Sequence, residues 1–103
     1  MPKHENIEKN KYTKVFDYDI IKKNCVLRTR KPGDRMVIDS YGRTKKLKDI
    51  LIDEKIEKGL RDRLILLADG SLVHWIIGYR MGESAKITDV TAKAVQISVN
   101  GEY

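Results

Sequence analysis

The chain has 103 residues, 41% of them hydrophobic and 35% charged, with a formal net charge of +6. That supports one compact core and is too short for two. No apolar run approaches the roughly 18 residues of a membrane span, the polar first residues hold no signal-peptide core, and the lone Cys25 excludes an intramolecular disulfide. A soluble, cytoplasmic protein is expected.

The charge is polarised along the chain: 14 basic and 6 acidic residues up to Lys48, then 7 and 9 beyond it. Such asymmetry favours one basic face over a uniformly basic surface.

Residues 1–14 are polar and aperiodic and predict a flexible leader or linker remnant, with a single domain over residues 15–103. Phe16, Ile20 and Ile21 stand at helical spacing, which predicts a short helical turn docking onto the first strand. Cys25 to Arg30 alternates as a strand, with Arg28 and Arg30 sharing one face. Lys31-Pro32-Gly33-Asp34 places proline and glycine where a type II turn wants them, so Arg35 to Ile38 is expected to return as the hairpin partner.

Ser40 to Arg43 predicts a loop. Thr44 can then cap a helix carrying Leu47, Ile50 and Leu51 as its apolar stripe. Lys45 and Lys46 would fall in its first turn, where positive potential already exists, and an anion bound there would remove the conflict. Asp53 to Arg63 predicts a second short helix interrupted near Gly59, with Leu60 and Leu64 inward. Two apolar strands flank Asp69-Gly70, a type I′ hairpin signal, and the run Leu64 to Leu67 predicts a strand covered on both faces. Ala92 to Val99 predicts the closing strand, with Val95, Ile97 and Val99 on one face. The overall expectation is an α+β fold, a compact β-sandwich or mixed sheet of hairpins with two or three short helices.

Catalytic chemistry finds no support in these residues. Phosphate-binding glycine loops and the Ser-Gly-Gly-x-Asp-Ser pyrophosphatase loop are missing from the sequence. His4 and His74 stand far apart, and with one cysteine no ligand set of metal-site spacing exists, so neither a metal nor a catalytic residue is expected. Asp69, Ser71 and His74 crowd one tight turn, a spacing that suits turn chemistry better than a triad. His74 is expected on the less buried face of its strand.

The chemistry lies in the cations. Between Leu27 and Lys48, Arg28, Arg30, Lys31, Arg35, Arg43, Lys45, Lys46 and Lys48 face only Asp34 and Asp39. Mutual repulsion makes such a folded segment a candidate polyanion site, with Arg80 as a weaker member on a second loop. No aromatic ladder accompanies it, which favours backbone and shape readout over base stacking. Tyr41 is expected to pack on the hairpin rather than stack on a terminal base. The competing reading is a protein interaction or interdomain docking module, with Met36, Val37 and Met81 lining the contact.

Arg28-Thr29-Arg30-Lys31-Pro32-Gly33-Asp34-Arg35, Thr44-Lys45-Lys46-Leu47-Lys48, Ile52-Asp53-Glu54-Lys55-Ile56, Arg61-Asp62-Arg63, Trp75, Gly78-Tyr79-Arg80 and Lys86-Ile87-Thr88 follow one another in an order that resembles the C-terminal substrate-binding domain of bacterial tRNA(Ile)-lysidine synthetases. The likeness spans about Val26 to Val99. It departs at Glu57, where the family usually has proline, and at Arg80-Met81-Gly82-Glu83, where it has Arg-x-Ser-Glu. The resemblance implies a β-sandwich of unusual connectivity and a parent ligase that uses ATP to attach lysine to the wobble cytidine of an isoleucine tRNA. ATP would belong to a separate catalytic domain, leaving this segment without a cofactor. Its implied partners are tRNA, gripped toward the acceptor stem, and the catalytic domain of the same polypeptide, with a homodimer through the parent enzyme left open and no membrane contact.

Overall fold

A computed structural model describes residues 12–99. The elements follow as β1 (Thr13–Asp17), α1 (Tyr18–Ile21), β2 (Val26–Arg28), β3 (Arg35–Val37), β4 (Thr44–Lys46), α2 (Leu47–Asp53), α3 (Lys58–Arg61), β5 (Leu66–Asp69), β6 (Leu72–Ile76), β7 (Arg80–Met81) and β8 (Ala94–Ser98). The fold is α+β, as expected. Of the expected leader, residues 1–11 lie outside the described residues, whereas Thr13 and Lys14 already belong to β1.

The main sheet has the strand order β2-β5-β6-β3-β4, with β7 also pairing β6. Alternation along β5 explains why it sits centrally: Leu66 and Ala68 enter one apolar cluster while Leu67 enters another. The first cluster lies between the sheet and α2, whose Leu47, Ile50 and Leu51 join Met36, Val73 and Ile76. The second fills the other side, where Phe16 packs against Trp75 with ring centroids 5.5 Å apart. A separate antiparallel ribbon of β1 and β8 covers it, and Val95, Ile97 and Val99 share its inner face as their spacing predicts.

Five local expectations need correction. First, β2 and β3 are not hairpin partners. The Pro32-Gly33 turn does form, with φ +87° at Gly33 and Asp34 N–H donating to Lys31 O at 3.2 Å. However, β2 pairs β5, and β3 pairs β4 and β6, so the turn is a corner linking distant strands.

Second, Thr44 caps no helix. Thr44 to Lys46 pair with β3, and α2 starts at Leu47 with Lys46 as its N-cap. Lys45 and Lys46 therefore lie before the first helical turn, and the Leu47 N–H already donates to Asp34 O at 2.9 Å. The cation in the first turn is therefore Lys48, beside Asp49, and not the expected pair Lys45 and Lys46. The helix ends in a Schellman closure: Ile56 N–H reaches Leu51 O, Lys55 N–H reaches Ile52 O, and Lys55 takes φ +60°.

Third, the β5–β6 register closes on Asp69 opposite Leu72, so Gly70 and Ser71 form the two-residue loop. Gly70 has φ +59° and Ser71 does not adopt positive φ, which fits glycine at the first central position of a II′ turn rather than the expected I′ turn on Asp69-Gly70. Gly59, expected to interrupt a helix, lies inside α3. His74 is 2% exposed and not on an open face.

Candidate nucleic-acid interface

The corner between β2 and β3 is organised by Asp34, which is 4% exposed. Its two carboxylate oxygens accept from the Arg28 guanidinium at 2.8 and 2.9 Å, and one also accepts the Lys31 N–H at 2.8 Å. Arg28 donates further to the carbonyls of Thr29 and Gly70 at 2.9 and 2.7 Å. Burial alone would push the Asp34 carboxyl up, but the Arg28 bonds and the Lys31 N–H outweigh it and hold the group below its ordinary range. The same bonds keep the Arg28 guanidinium charged against its own burial. Arg28 is thereby committed to the fold.

Beyond the corner opens a groove of about 490 Å³, lined by Arg30, Lys31, Pro32, Gly33, Asp34, Arg35, Lys46, Leu47, Lys48 and Asp62. Three sources supply its cations: the turn gives Arg30 and Lys31, the β3–β4 pair gives Arg35 and Lys46, and the start of α2 gives Lys48. Arg35 and Lys46 are directly opposed in the antiparallel register, so both side chains stand on one face. Like charges in that arrangement are destabilising unless an anion lies between them.

The groove's two carboxylates do not supply one. Asp34 is engaged by Arg28, and Asp62 pairs with Arg30 at 2.8 Å. Among the described residues, the Arg35 side chain is anchored only by the neutral Thr44 hydroxyl, at 2.9 and 3.0 Å. The side chains of Lys31, Lys46 and Lys48 have no ion pair or hydrogen bond among the described residues.

Of the nine cations singled out from the sequence, the structure thus gathers Arg30, Lys31, Arg35, Lys46 and Lys48 into one groove. Arg28 stands behind it as a scaffold. Arg43 pairs with Asp39 at 2.5 Å inside its own loop, Lys45 pairs with Asp53, and Arg80 pairs with Glu54 at 3.6 Å, none of them lining the groove. Arg28 and Arg30 do not project together, because β2 ends at Arg28 and their carboxylate partners differ. The sequence offered no sign that Asp62 would enter the groove, whereas the position of Asp34, a carboxylate within a run of cations, is the signal for its organising role at the corner.

The docking alternative loses its expected contact: Met36 is fully buried, and Val37 and Met81 are half-buried. Tyr41 is 86% exposed and does not pack on the hairpin. Gly82, where the resemblance expects serine, is buried, and a Cβ added there would meet Met36 Cγ at 2.6 Å. Glycine at this position leaves room for the methionine. At Glu57, where proline was expected, φ is −56°, within the range proline imposes, so the backbone path is compatible with either residue.

The described residues thus form a small α+β domain in which five of the nine candidate cations line one groove. Comparison with known proteins identifies the family to which such a domain belongs. Residues 25–98 match the family model described as the TilS substrate C-terminal domain, and the chain belongs to this family. It is 42% identical over 94 residues to the tRNA(Ile)-lysidine synthase of Clostridium tetani, covering 91% of this chain and 20% of that protein. It is also 41% identical over 98 residues to the enzyme of the same name from Caldanaerobacter subterraneus subsp. tengcongensis, covering 95% and 21%. The chain therefore spans about a fifth of the length of these relatives. A solved structure described as the crystal structure of the TILS C-terminal domain superposes with a TM-score of 0.67 at 29% identity, over 90% of this chain and 75% of that one.

Proposed function

We propose that this domain positions tRNA for an ATP-dependent tRNA(Ile)-lysidine synthetase, the enzyme that attaches lysine to the wobble cytidine of an isoleucine tRNA. Lys31, Arg35, Lys46 and Lys48 hold backbone phosphates, with Arg30 shared between the RNA and Asp62. The observation that supports this most is the opposed Arg35–Lys46 pair in a groove whose carboxylates are otherwise engaged. A phosphodiester between the two side chains converts a repulsive pair into two attractive ones.

The contact reads shape. A-form RNA presents phosphates and 2′-hydroxyls along a wide minor groove, and the domain supplies cations without a stacking platform. The RNA engaged is the acceptor-stem side of the tRNA, away from the wobble base. Arg43, Lys45 and Arg80, each held by a local carboxylate, contribute at most a longer-range field. The parent enzyme is cytoplasmic, binds ATP in a separate domain, and meets this domain within the same polypeptide.

Fluorescence anisotropy with an isoleucine tRNA tests the reading. The Arg35→Ala/Lys46→Ala double variant is expected to lose at least about tenfold in affinity at low salt, since charge-assisted bonds contribute roughly 1.5–3 kcal/mol each. Unchanged affinity refutes the groove. Retention of the separated catalytic domain by this chain, lost in the double variant while tRNA affinity is kept, would instead establish docking.

A further inference from the structure

Away from the groove, three side chains that the sequence spacing discounted as metal ligands come together. One donor atom from each of Cys25, Asp69 and His74 lies within 4.8 Å of the other two. The β2–β5 register pairs Val26 with Ala68, so Cys25, just before β2, falls opposite Asp69 and on the same face of the sheet.

His74 arrives by a different device. Leu67 pairs Trp75 and Ala68 pairs Val73, so His74 is the extra residue of a β-bulge on β6. Bulges re-aim side chains. Here the imidazole is 2% exposed, and its Nδ1 lies 2.6 Å from Ser84 Oγ. Nε2 is buried and has no hydrogen-bond partner among the described residues. Neither the Cys25 thiol nor the Asp69 carboxylate has a hydrogen bond or ion pair among the described residues.

A buried unpartnered imidazole nitrogen is costly, and the Cys25 thiol and an Asp69 carboxylate oxygen each lie within 4.8 Å of a ring nitrogen of His74. Thiolate, imidazole and carboxylate together are a borderline-soft donor set, suited to zinc, and too few in oxygen for calcium or magnesium. We propose that Cys25, Asp69 and His74 form a three-ligand site for a divalent transition-metal ion of the zinc class, with the fourth position open to water or an outside ligand.

His74 ligates through Nε2 while its Nδ1–H donates to Ser84, the kind of bond that fixes tautomer and ring orientation at such sites. Tetrahedral zinc, with Zn–S near 2.3 Å and Zn–N near 2.0 Å, places its donors about 3.5 Å apart. Rotation of the half-buried Cys25 and Asp69 side chains closes the remaining gap. The site draws nothing from the RNA reading and stands or falls separately from it.

The test is zinc titration of the whole 103-residue chain against a chromophoric chelator, with metal content measured after gel filtration. One zinc per folded chain is expected. Cys25→Ser and Asp69→Asn are each expected to weaken binding at least about tenfold, and His4→Ala is expected to leave it unchanged. Cobalt(II) loading of the unaltered chain provides a reading that needs no variant to fold: a near-ultraviolet thiolate charge-transfer band with tetrahedral visible bands is expected. A folded chain that takes up no stoichiometric zinc overturns the proposal. So does binding that survives both Cys25→Ser and Asp69→Asn, binding lost in His4→Ala, or a cobalt spectrum without the thiolate band.

Discussion

Arg28 and Lys46 flank the same corner and carry the same charge, yet their surroundings assign them opposite work. Arg28 is 13% exposed and spends its guanidinium on Asp34 and two carbonyls. Lys46 is exposed, faces Arg35 across the strand pair, and has no carboxylate of its own among the described residues. One cation holds the chain together; the other has no local anion among the described residues and, in the proposed function, serves the RNA. A residue's contribution to folding and its contribution to binding are thus separated by the presence of a local anion, and substitutions should separate them too.

The largest effect belongs to the corner. Asp34→Ala leaves Arg28 without its partner and the Lys31 N–H without an acceptor, and is expected to cost about 3 kcal/mol, measured by urea denaturation. A value near zero would mean that the pair does not organise the fold. Gly82→Ser is next, at roughly 1–3 kcal/mol, because the new side chain overlaps Met36 Cγ in a filled core. Combining it with a smaller residue at position 36 should recover part of that loss.

A partial loss of the corner is expected in acid. The folded Asp34 carboxyl titrates below its unfolded value near 3.8. Its contribution is therefore complete above that pH and lost as pH falls through the folded value, where the unfolded state binds more protons. Stability measured from pH 5 downward should fall with a component that Asp34→Asn lacks. The smallest change in stability is expected in the groove: Lys46→Ala should stay within about 0.5 kcal/mol of the unaltered chain, or stabilise it slightly by relieving Arg35.

Local chemistry was legible in the sequence, and long-range pairing was not. Pro32-Gly33 announced its turn correctly, because dihedral preference belongs to the residues themselves. What followed the turn depended on β5 and β6 inserting between β2 and β3, and no pattern within Cys25 to Ile38 encodes that. Thr44 carries the right side chain for a helix cap, but pairing with Val37 extended the backbone and moved the helix start to Leu47. The core stripe Leu47, Ile50 and Leu51 survived that shift because its spacing is independent of the cap.

The groove was half legible for the same reason. A run of cations marked the segment, while only the strand register could divide Arg35 and Lys46 from the locally paired Arg43 and Lys45. His74 shows the limit most plainly. Period-2 alternation assigns each strand residue a face, and a bulge inserts a residue that alternation does not count.

The salt dependence of tRNA affinity tests the central claim most directly, because each phosphate contact adds about 0.7–0.9 to the slope of log affinity against log salt. A variant with Lys31, Arg35, Lys46 and Lys48 all replaced by alanine should show a slope shallower by about 3, while alanine at Arg43, Lys45 and Arg80 together should leave it nearly unchanged. Equal slopes for the unaltered chain and the four-site variant, or a larger change from the three locally paired cations, would contradict the account.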